Sequence, residues 1–509
     1  MAASSIVERE AKFEVSATQA LPSLTGIAGV AELAAGVVDL SAVYFDTSDL
    51  ALVRAGVTLR RRVGGDDEGW HLKLPSGRDR EEFALALTEA ATPPEEFKTL
   101  VQAQARGRQL DPVATLRTER IVHRLVDDKA QVVAEVSDDS VRAETPQPDG
   151  SVTVLRWREW EVELVAGPDT LLKKVSAVLQ EAGGKPGSSP SKLARALGER
   201  LAAPQDLVER KPSIKGPAGV VLLHHLRGLI QELVLKDPQV RLDRPDAVHK
   251  MRVATRRLRS TLRTFRPFLH RATADRLRRE LKWLAGVLGE ARDAEVMRDR
   301  LTSLARREPD EIHADPVADQ IGRELGEQYA RGHEHVLAAL ESRRYFALLD
   351  SLDALAAAPP WKGRAKRPAR KVLPERARRE LTSVRRAATA AEKATGPAQR
   401  DELLHEVRKS AKRLRYACET LTPVFGEPAN RLARAAKELQ DVLGEHQDSI
   451  VSQQLLRDLA ADSDLSGAAA IIYGRLHLLE QRHADHARHR YAAAWKKVTA
   501  KRLARWMKG

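Results

Sequence analysis

A chain of 509 residues has room for two or three domains with separate cores, and 42% hydrophobic content excludes a wholly disordered polymer. The single cysteine, Cys418, excludes an intrachain disulfide and a cysteine-based metal cluster. The opening MAASSIVEREAKF lacks the basic and apolar regions of a signal peptide, and no apolar run approaches the roughly 18 residues of a membrane span, which points to a soluble cytoplasmic protein without a membrane partner. The net charge of +14 divides unevenly: 25 Lys and Arg face 31 Asp and Glu through Pro204, net −6, and the remainder is net +20. A basic back half calls for an anionic partner; an acidic front half has another task.

The first 200 or so residues hold short stretches of period-two alternation: VEREAKFEV, VTLRRRV, WHLKL, ERIVHRLV and WREWEVELV. Gly, Asp and Pro punctuate them, which predicts an antiparallel sheet or barrel with a few helices. The alternation sorts charge by sign. Glu8, Glu10 and Lys12 share one face opposite Val7, Ala11 and Phe13; Glu159, Glu161 and Glu163 oppose Trp160, Val162 and Leu164. Arg60 and Arg62 lie together, and His71 and Lys73 oppose Trp70, Leu72 and Leu74. An open sheet with one solvated face gives the same alternation, but like charges aligned on a solitary surface repel. A closed barrel with a charged interior resolves this: carboxylates about 7 Å apart along a strand could hold Mg²⁺ while Lys and Arg from other walls clamp phosphates. That set supports hydrolysis by metal-positioned water without a covalent nucleophile. Glu82, Glu135 and Asp138 are further candidate carboxylates whose face the sequence leaves open.

A Pro/Lys/Gly-rich stretch around Pro204–Pro217 marks a boundary, so the expected domains are 1–204, a linker 205–218 and 219–509. From Gly219 the period is helical. A second breaker, PPWKGRAKRPARKVLP, splits this half into repeats of about 219–358 and 375–509. HKMRVATRRLRSTL at His249–Leu262 matches HEVRKSAKRLRYAC at His405–Cys418, offset 156. VLGEARD at Val287–Asp293 matches VLGEHQD at Val442–Asp448, offset 155. Near-equal offsets argue for duplication of a helical unit.

In a helix His249, Arg252, Arg256, Arg259 and Arg263 form one stripe, with Met251, Ala254, Leu258, Leu262 and Phe265 on the core side. The second copy presents His405, Arg408, Lys412 and Arg415, with Leu414 and Leu421 buried. Neighbouring cations about 6 Å apart repel by roughly 0.7 kcal/mol in water and about 3 kcal/mol at an effective dielectric near 20. A solvated charged face is the plainer explanation for one such helix; duplication with a histidine at the same register favours a polyanion. Interleaved exposed aromatics for base stacking are missing, which argues against nucleic acid. Guanidinium forks suit phosphate oxygens. His483, His486 and His489 lie three apart and read as a solvated basic helix rather than a metal site, and Cys418 as a buried small side chain.

The strand motifs resemble the CYTH, or triphosphate tunnel metalloenzyme, family over roughly residues 5–200. Glu8-Arg9-Glu10-Ala11-Lys12 matches its E-x-E-x-K signature, followed in order by VYFDTSDLALVRAGVTLRRR, WHLKLPSGRDREEF, WREWEVEL and SKLARAL. The resemblance implies an eight-stranded antiparallel tunnel and divalent-metal-dependent hydrolysis of a triphosphate with Mg²⁺ or Mn²⁺. By motif position Lys12, Arg60, Arg62, Lys73, Arg120 and Lys192 would bind phosphate, and Glu8, Glu10, Glu161 and Glu163 would hold metal and orient water. The helical half resembles the CHAD family, the conserved-histidine α-helical domain, from about Gly219 to the end. That implies paired four-helix bundles and inorganic polyphosphate as ligand. Carried over by position, its contacts would be His249, Arg252, Arg256, Arg259, His405, Arg408, Lys412 and Arg415, with Lys282 and Lys437 as weaker ones. The fold expected is therefore α+β in front and all-α behind. The function expected is an inorganic triphosphatase or short-chain polyphosphatase recruited to polyphosphate or its granules. The alternatives are a non-catalytic polyphosphate-binding protein and an adenylate cyclase.

Overall fold

The alternating segments of the front half become strands whose apolar sides need covering from outside, because their charged sides face inward. The computed structural model describes residues 9–507 apart from 77–78, 148, 202–210, 310–311, 313 and 462–465. The chain divides into two compact units, Met1–Val208 and Glu209–Gly509.

Among the described residues of the first unit there are nine strands: β1 (Glu10–Val15), β2 (Ala31–Asp46), β3 (Thr58–Val63), β4 (Gly69–Ser76), β5 (Asp79–Leu85), β6 (Asp111–Val126), β7 (Val132–Pro146), β8 (Val152–Leu164) and the two-residue β9 (Lys185–Pro186). They form one antiparallel sheet in the order β5-β4-β3-β2-β6-β7-β8-β1-β9. Eight substantial strands thus build the expected tunnel. It is a curled sheet whose edge strands are β5 and β9, rather than a ladder closed on itself. Its concave face encloses a cavity of about 440 Å³.

The convex face is apolar. Phe13, Trp160, Val162 and Val136 pack with Leu171, Val175 and Leu179 of helix α4 (Asp169–Glu181). Trp70, Leu72 and Leu74 are buried, with the Trp70 ring 5.3 Å from that of Phe45. The short helices α1 (Ala51–Arg54), α2 (Glu95–Leu100) and α3 (Gln102–Ala105) add buried Leu52, Phe97, Leu100 and Ala103. The buried Asp46 carboxylate accepts the backbone N–H groups of Thr47, Leu52 and Val53, which caps the DTSDL turn into α1. At the β3–β4 turn Gly64 has φ +88°, and a Cβ there would meet the Asp39 carbonyl oxygen at 2.2 Å; this turn admits only glycine. Helix α5 (Lys192–Leu197) lies on the concave side, packing Leu193, Ala196 and Leu197 against Ala42, Tyr44 and Leu116. Its cap is Ser191, whose Oγ accepts the Ala194 N–H at 3.1 Å.

The second unit is helical. It contains α6 (Ala218–Arg241), α7 (Ala247–Thr264), α8 (Arg271–Ala305), α9 (Asp315–Leu340), α10 (Arg343–Ala357), α11 (Ala369–Val372), α12 (Pro374–Glu392), α13 (Pro397–Phe425), α14 (Glu427–Ala460) and α15 (Gly467–Val498). Packing of α6 on α7, α7 on α8 and α8 on α9 recurs as α12 on α13, α13 on α14 and α14 on α15, so the duplication is of four-helix units, and α7 meets α13 where they join. Met251, Ala254, Leu258 and Leu262 are fully buried in α7, as are Leu414, Cys418 and Leu421 in α13. The stripes therefore occupy the opposite faces, as the period predicts. Burial pushes the Cys418 thiol above its usual range, which suits an inert core side chain. One helix, α6, is long and apolar enough by length and composition to cross a membrane. His224, His225 and Arg227 interrupt it, and it packs Val221 and Leu222 into a core with Leu381, Leu414 and Leu439.

Trp160 is fully buried behind the wall that carries the β8 glutamates. Trp160→Ala should cost about 3–5 kcal/mol, read as a lowered urea midpoint for the first unit followed by near-ultraviolet circular dichroism.

Candidate functional site

Strand parity sets the tunnel lining. On β1 Glu10, Lys12 and Glu14 stand in register with Glu163, Glu161 and Glu159 of β8. From the neighbouring strands come Arg60 and Arg62, Lys73, Glu82, Arg120 and Glu135, all of which line the cavity. Glu8 lies outside the described residues. The other residues the motifs nominate, Glu10, Lys12, Arg60, Arg62, Lys73, Arg120, Glu161, Glu163 and Lys192, share this one cavity.

Every phosphate-binding candidate has an acidic counterpart. Lys12 Nζ lies 2.9 Å from Glu10 and 3.0 Å from Glu161. Arg60 and Lys73 both approach Glu82, at 3.8 and 3.5 Å, and His71 Nδ1 meets the same carboxylate at 2.9 Å. Arg62 pairs with Asp67 of the β3–β4 turn. Arg120 makes a bidentate contact with Asp139, both arms 2.7 Å, and reaches Glu161 at 3.1 Å. Lys192, entering from the start of α5, lies 2.8 Å from Glu159, 2.8 Å from Glu161 and 3.0 Å from Asp139.

The pKa shifts follow from these contacts. Burial opposes the Lys192 ammonium, but Glu161, Asp139 and Glu159 outweigh it and hold its pKa above the lysine range. Lys12 is raised in the same way by Glu161 and Glu10. Despite burial, Lys192 and Lys12 hold Glu161 well below the carboxylate range. Glu10 goes the other way: burial and the neighbouring Glu161 push its carboxyl up to about 7. Tyr44 also lines the cavity, and although burial raises its phenol, Arg60 brings the pKa below the usual value.

Asp139, Glu159 and Glu161 present oxygens within 4.8 Å of one another, an acidic cluster able to hold a metal ion. Lys192 already neutralises that cluster; Glu10 and Glu163, facing each other across β1 and β8 with Glu161 adjacent, are further carboxylates that could help to hold a cation. The donors are all carboxylate oxygens, which suits a hard divalent cation.

Two adjacent aspartates divide between the faces. Asp138 points to the convex side and pairs with Arg158. Asp139, its neighbour, faces the tunnel and is fully buried. Parity could have found this, because Glu135 and Asp139 share a face that Asp138 cannot. Asp67 and Tyr44 carry no such signal, since their placement depends on a turn and on the end of a long strand.

In the helical unit, Arg252 and Arg256 of α7 converge with Arg408 and Lys412 of α13. Burial and then Arg256, Arg408, Arg252 and Arg259 push the Lys412 ammonium down to about 6. Arg256 is lowered by burial and by Arg252, Arg408 and Arg259. His249 and His405 are also lowered, by burial first and then by Arg292 and by Lys409 and Arg408 respectively. Arg415 is engaged nearby with Glu419 at 2.7 Å. Arg259, Lys282 and Lys437 are exposed, and Lys437 pairs with Asp441 at 2.5 Å. His483, His486 and His489 are exposed along α15.

A CYTH domain model matches residues 7–197 and a CHAD domain model matches 224–457. The chain belongs to the CYTH–CHAD proteins. Uncharacterized proteins of Mycobacterium tuberculosis strains CDC 1551 and H37Rv are 36% identical to it over 512 residues, covering 97% of this chain and 96% of theirs. Among solved structures it is similar to PptA from Streptomyces chartreusis, with 24% identity, TM-score 0.47, and 55% of this chain and 99% of that one covered. The CHAD domain from the plant Ricinus communis matches with 20% identity, TM-score 0.43, and 58% and 97% coverage. The CYTH domain of this protein is thus a member of the triphosphate tunnel family, whose members are metal-dependent phosphatases and cyclases.

Lys412 yields a pH dependence for the CHAD domain. With a pKa of about 6 it is mostly neutral at pH 7.5, and a bound polyanion would restore its proton. Affinity for an anionic probe held at Lys412 should therefore rise as pH falls from 8 to 6, with proton uptake visible by calorimetry in buffers of different ionisation enthalpy. Lys412→Arg, permanently charged, should flatten that component.

Proposed function

We propose that the CYTH domain hydrolyses inorganic triphosphate or short polyphosphate with a divalent metal, and that the CHAD domain binds polyphosphate and so holds substrate near it. The observation that carries this reading is the convergence of eight Lys and Arg side chains, from β1, β3, β4, β5, β6 and α5, on one cavity that also has a carboxylate wall. A nucleophilic side chain is not needed for phosphoryl transfer to water; positioning and charge stabilisation suffice.

In this reading Lys12, Arg60, Arg62, Lys73, Arg120 and Lys192 grip the phosphoryl oxygens. Glu82 and Asp139 keep those cations extended into the cavity before substrate arrives, so little reorganisation remains. Glu10 and Glu163, with Glu161 beside them, would hold the metal and orient water. Mg²⁺ or Mn²⁺, when bound, supplies charge neutralisation at the phosphoryl oxygens and a more acidic water.

Purified protein with Mg²⁺ should release phosphate from tripolyphosphate, and chelator should stop it. Glu10→Ala should abolish turnover, and Arg62→Ala should lower kcat/KM by about 100-fold or more. No metal-dependent release from tripolyphosphate, nucleoside triphosphates or thiamine triphosphate would overturn the enzymatic reading and leave binding alone. Cyclic AMP formed from ATP would reassign the domain to cyclase chemistry.

The helical assignment has its own test. Arg256→Glu combined with Lys412→Glu should abolish retention on immobilised polyphosphate while tripolyphosphate turnover persists. Retention equal to the parent protein would refute the stripe. Competition by RNA at equal phosphate concentration should be weak.

A further inference from the structure

The duplicated VLGE motif has so far had no task. In both copies its glycine lies in the middle of a long helix, where glycine costs about 1 kcal/mol relative to alanine. A Cβ on Gly289 would lie 3.4 Å from Nη2, 3.7 Å from Cζ and 3.8 Å from Nε of Arg252. On Gly444 it would lie 3.3 Å from Nη2, 3.4 Å from Nε and 3.8 Å from Cζ of Arg408. The distances place the Nε–Nη2 edge of the Arg408 guanidinium against Gly444 and the Arg252 guanidinium obliquely over Gly289, so each packs on its glycine. Arg252 and Arg408 hold equivalent places in the two stripes.

The aspartate one turn further along completes the arrangement. Asp293 Oδ1 accepts from Arg252 Nη1 at 2.8 Å, and Asp448 has Arg408 as its foremost cationic neighbour. The Nε of Arg252 and that of Arg408 are both buried without a hydrogen-bond partner among the described residues. Each arginine thus has an aspartate beside it and its Nε enclosed against the helix that carries the glycine. Gly332 shows what a purely architectural glycine looks like here: a Cβ there would strike the Ala291 backbone nitrogen at 2.7 Å, a contact between two helices. At Gly289 and Gly444 the obstacle is only the tip of a side chain.

We propose that Gly289 and Gly444 are seats for the two arginines that grip the phosphate chain, each leaving open the space in which the guanidinium must lie to reach a polyanion on the joined stripes. They are positioning residues, acting through Arg252 and Arg408. This rests on the polyphosphate reading of the CHAD domain. A methyl group at Gly444 requires Arg408 to give by a few tenths of an ångström, one at Gly289 fills the contact with Arg252, and both leave the backbone alone; a leucine removes the seat.

The test uses the full chain and long-chain sodium polyphosphate, with affinity from calorimetry and stability from thermal melting. Gly289→Ala with Gly444→Ala should melt no lower than the parent protein, because alanine is the better helix former, yet bind polyphosphate about 3- to 10-fold more weakly. Gly289→Leu with Gly444→Leu should weaken binding further, by more than about 10-fold. Tripolyphosphate turnover by the CYTH domain serves as the internal control and should not change. Parent-like affinity in the alanine and leucine pairs, alongside weak binding by Arg252→Ala with Arg408→Ala, would overturn the seats and leave the stripe intact. Absence of polyphosphate binding by the parent protein would overturn the underlying reading and the seats with it.

Discussion

Lys192 is surrounded by Glu159, Glu161 and Asp139 at 2.8–3.0 Å, and most of the first unit is arranged around that contact. Three carboxylates this close and this buried would repel strongly. One ammonium delivered by α5 makes the set tolerable. Its neighbour Arg120 reuses two of the same acids, and Lys12 reuses Glu161. The cations are extended because the acids hold them, and the acids stay ionised because the cations are there. The apolar coat of α4 and the convex face keeps this lattice of charge at low dielectric, where it has most effect.

The two units solve one electrostatic problem in opposite ways. In the tunnel each cation is matched before any ligand arrives, so an acidic domain can offer a cationic binding surface. In the helical unit Arg256, Arg408 and Lys412 are pressed together with little acid between them, and the protein pays by letting Lys412 give up its proton. The first arrangement is balanced within itself, whereas the second leaves repulsion between cations that dissolved salt would screen, which makes the helical unit the more salt-sensitive of the two.

Much of this was legible in the residues. Period-two sorting on WREWEVEL and TLRRRV gave the inward face, because a strand alternates without exception between bulges. The 3-4 spacing of HKMRVATRRLR gave the stripe and its buried back, and the offsets of 156 and 155 gave the duplication. Other features were hidden for physical reasons. Asp138 and Asp139 are chemically alike and only register separates them. Asp67 reaches Arg62 through a turn whose course depends on Gly64. The meeting of Arg256 with Lys412 depends on α7 packing on α13, a tertiary contact that no periodicity encodes.

The register of β1 has a consequence for how the chain matures. Its partner is β8, so β1 must wait for residues some 150 positions later, and such distant closures are slow. The encounter places Glu10 opposite Glu163 and Glu14 opposite Glu159, acid against acid, and the neutralising Lys192 emerges later still. During translation the N-terminal segment would therefore remain undocked until α5 has left the ribosome. The sheet would then complete in a single late step, with the lysine as the latch.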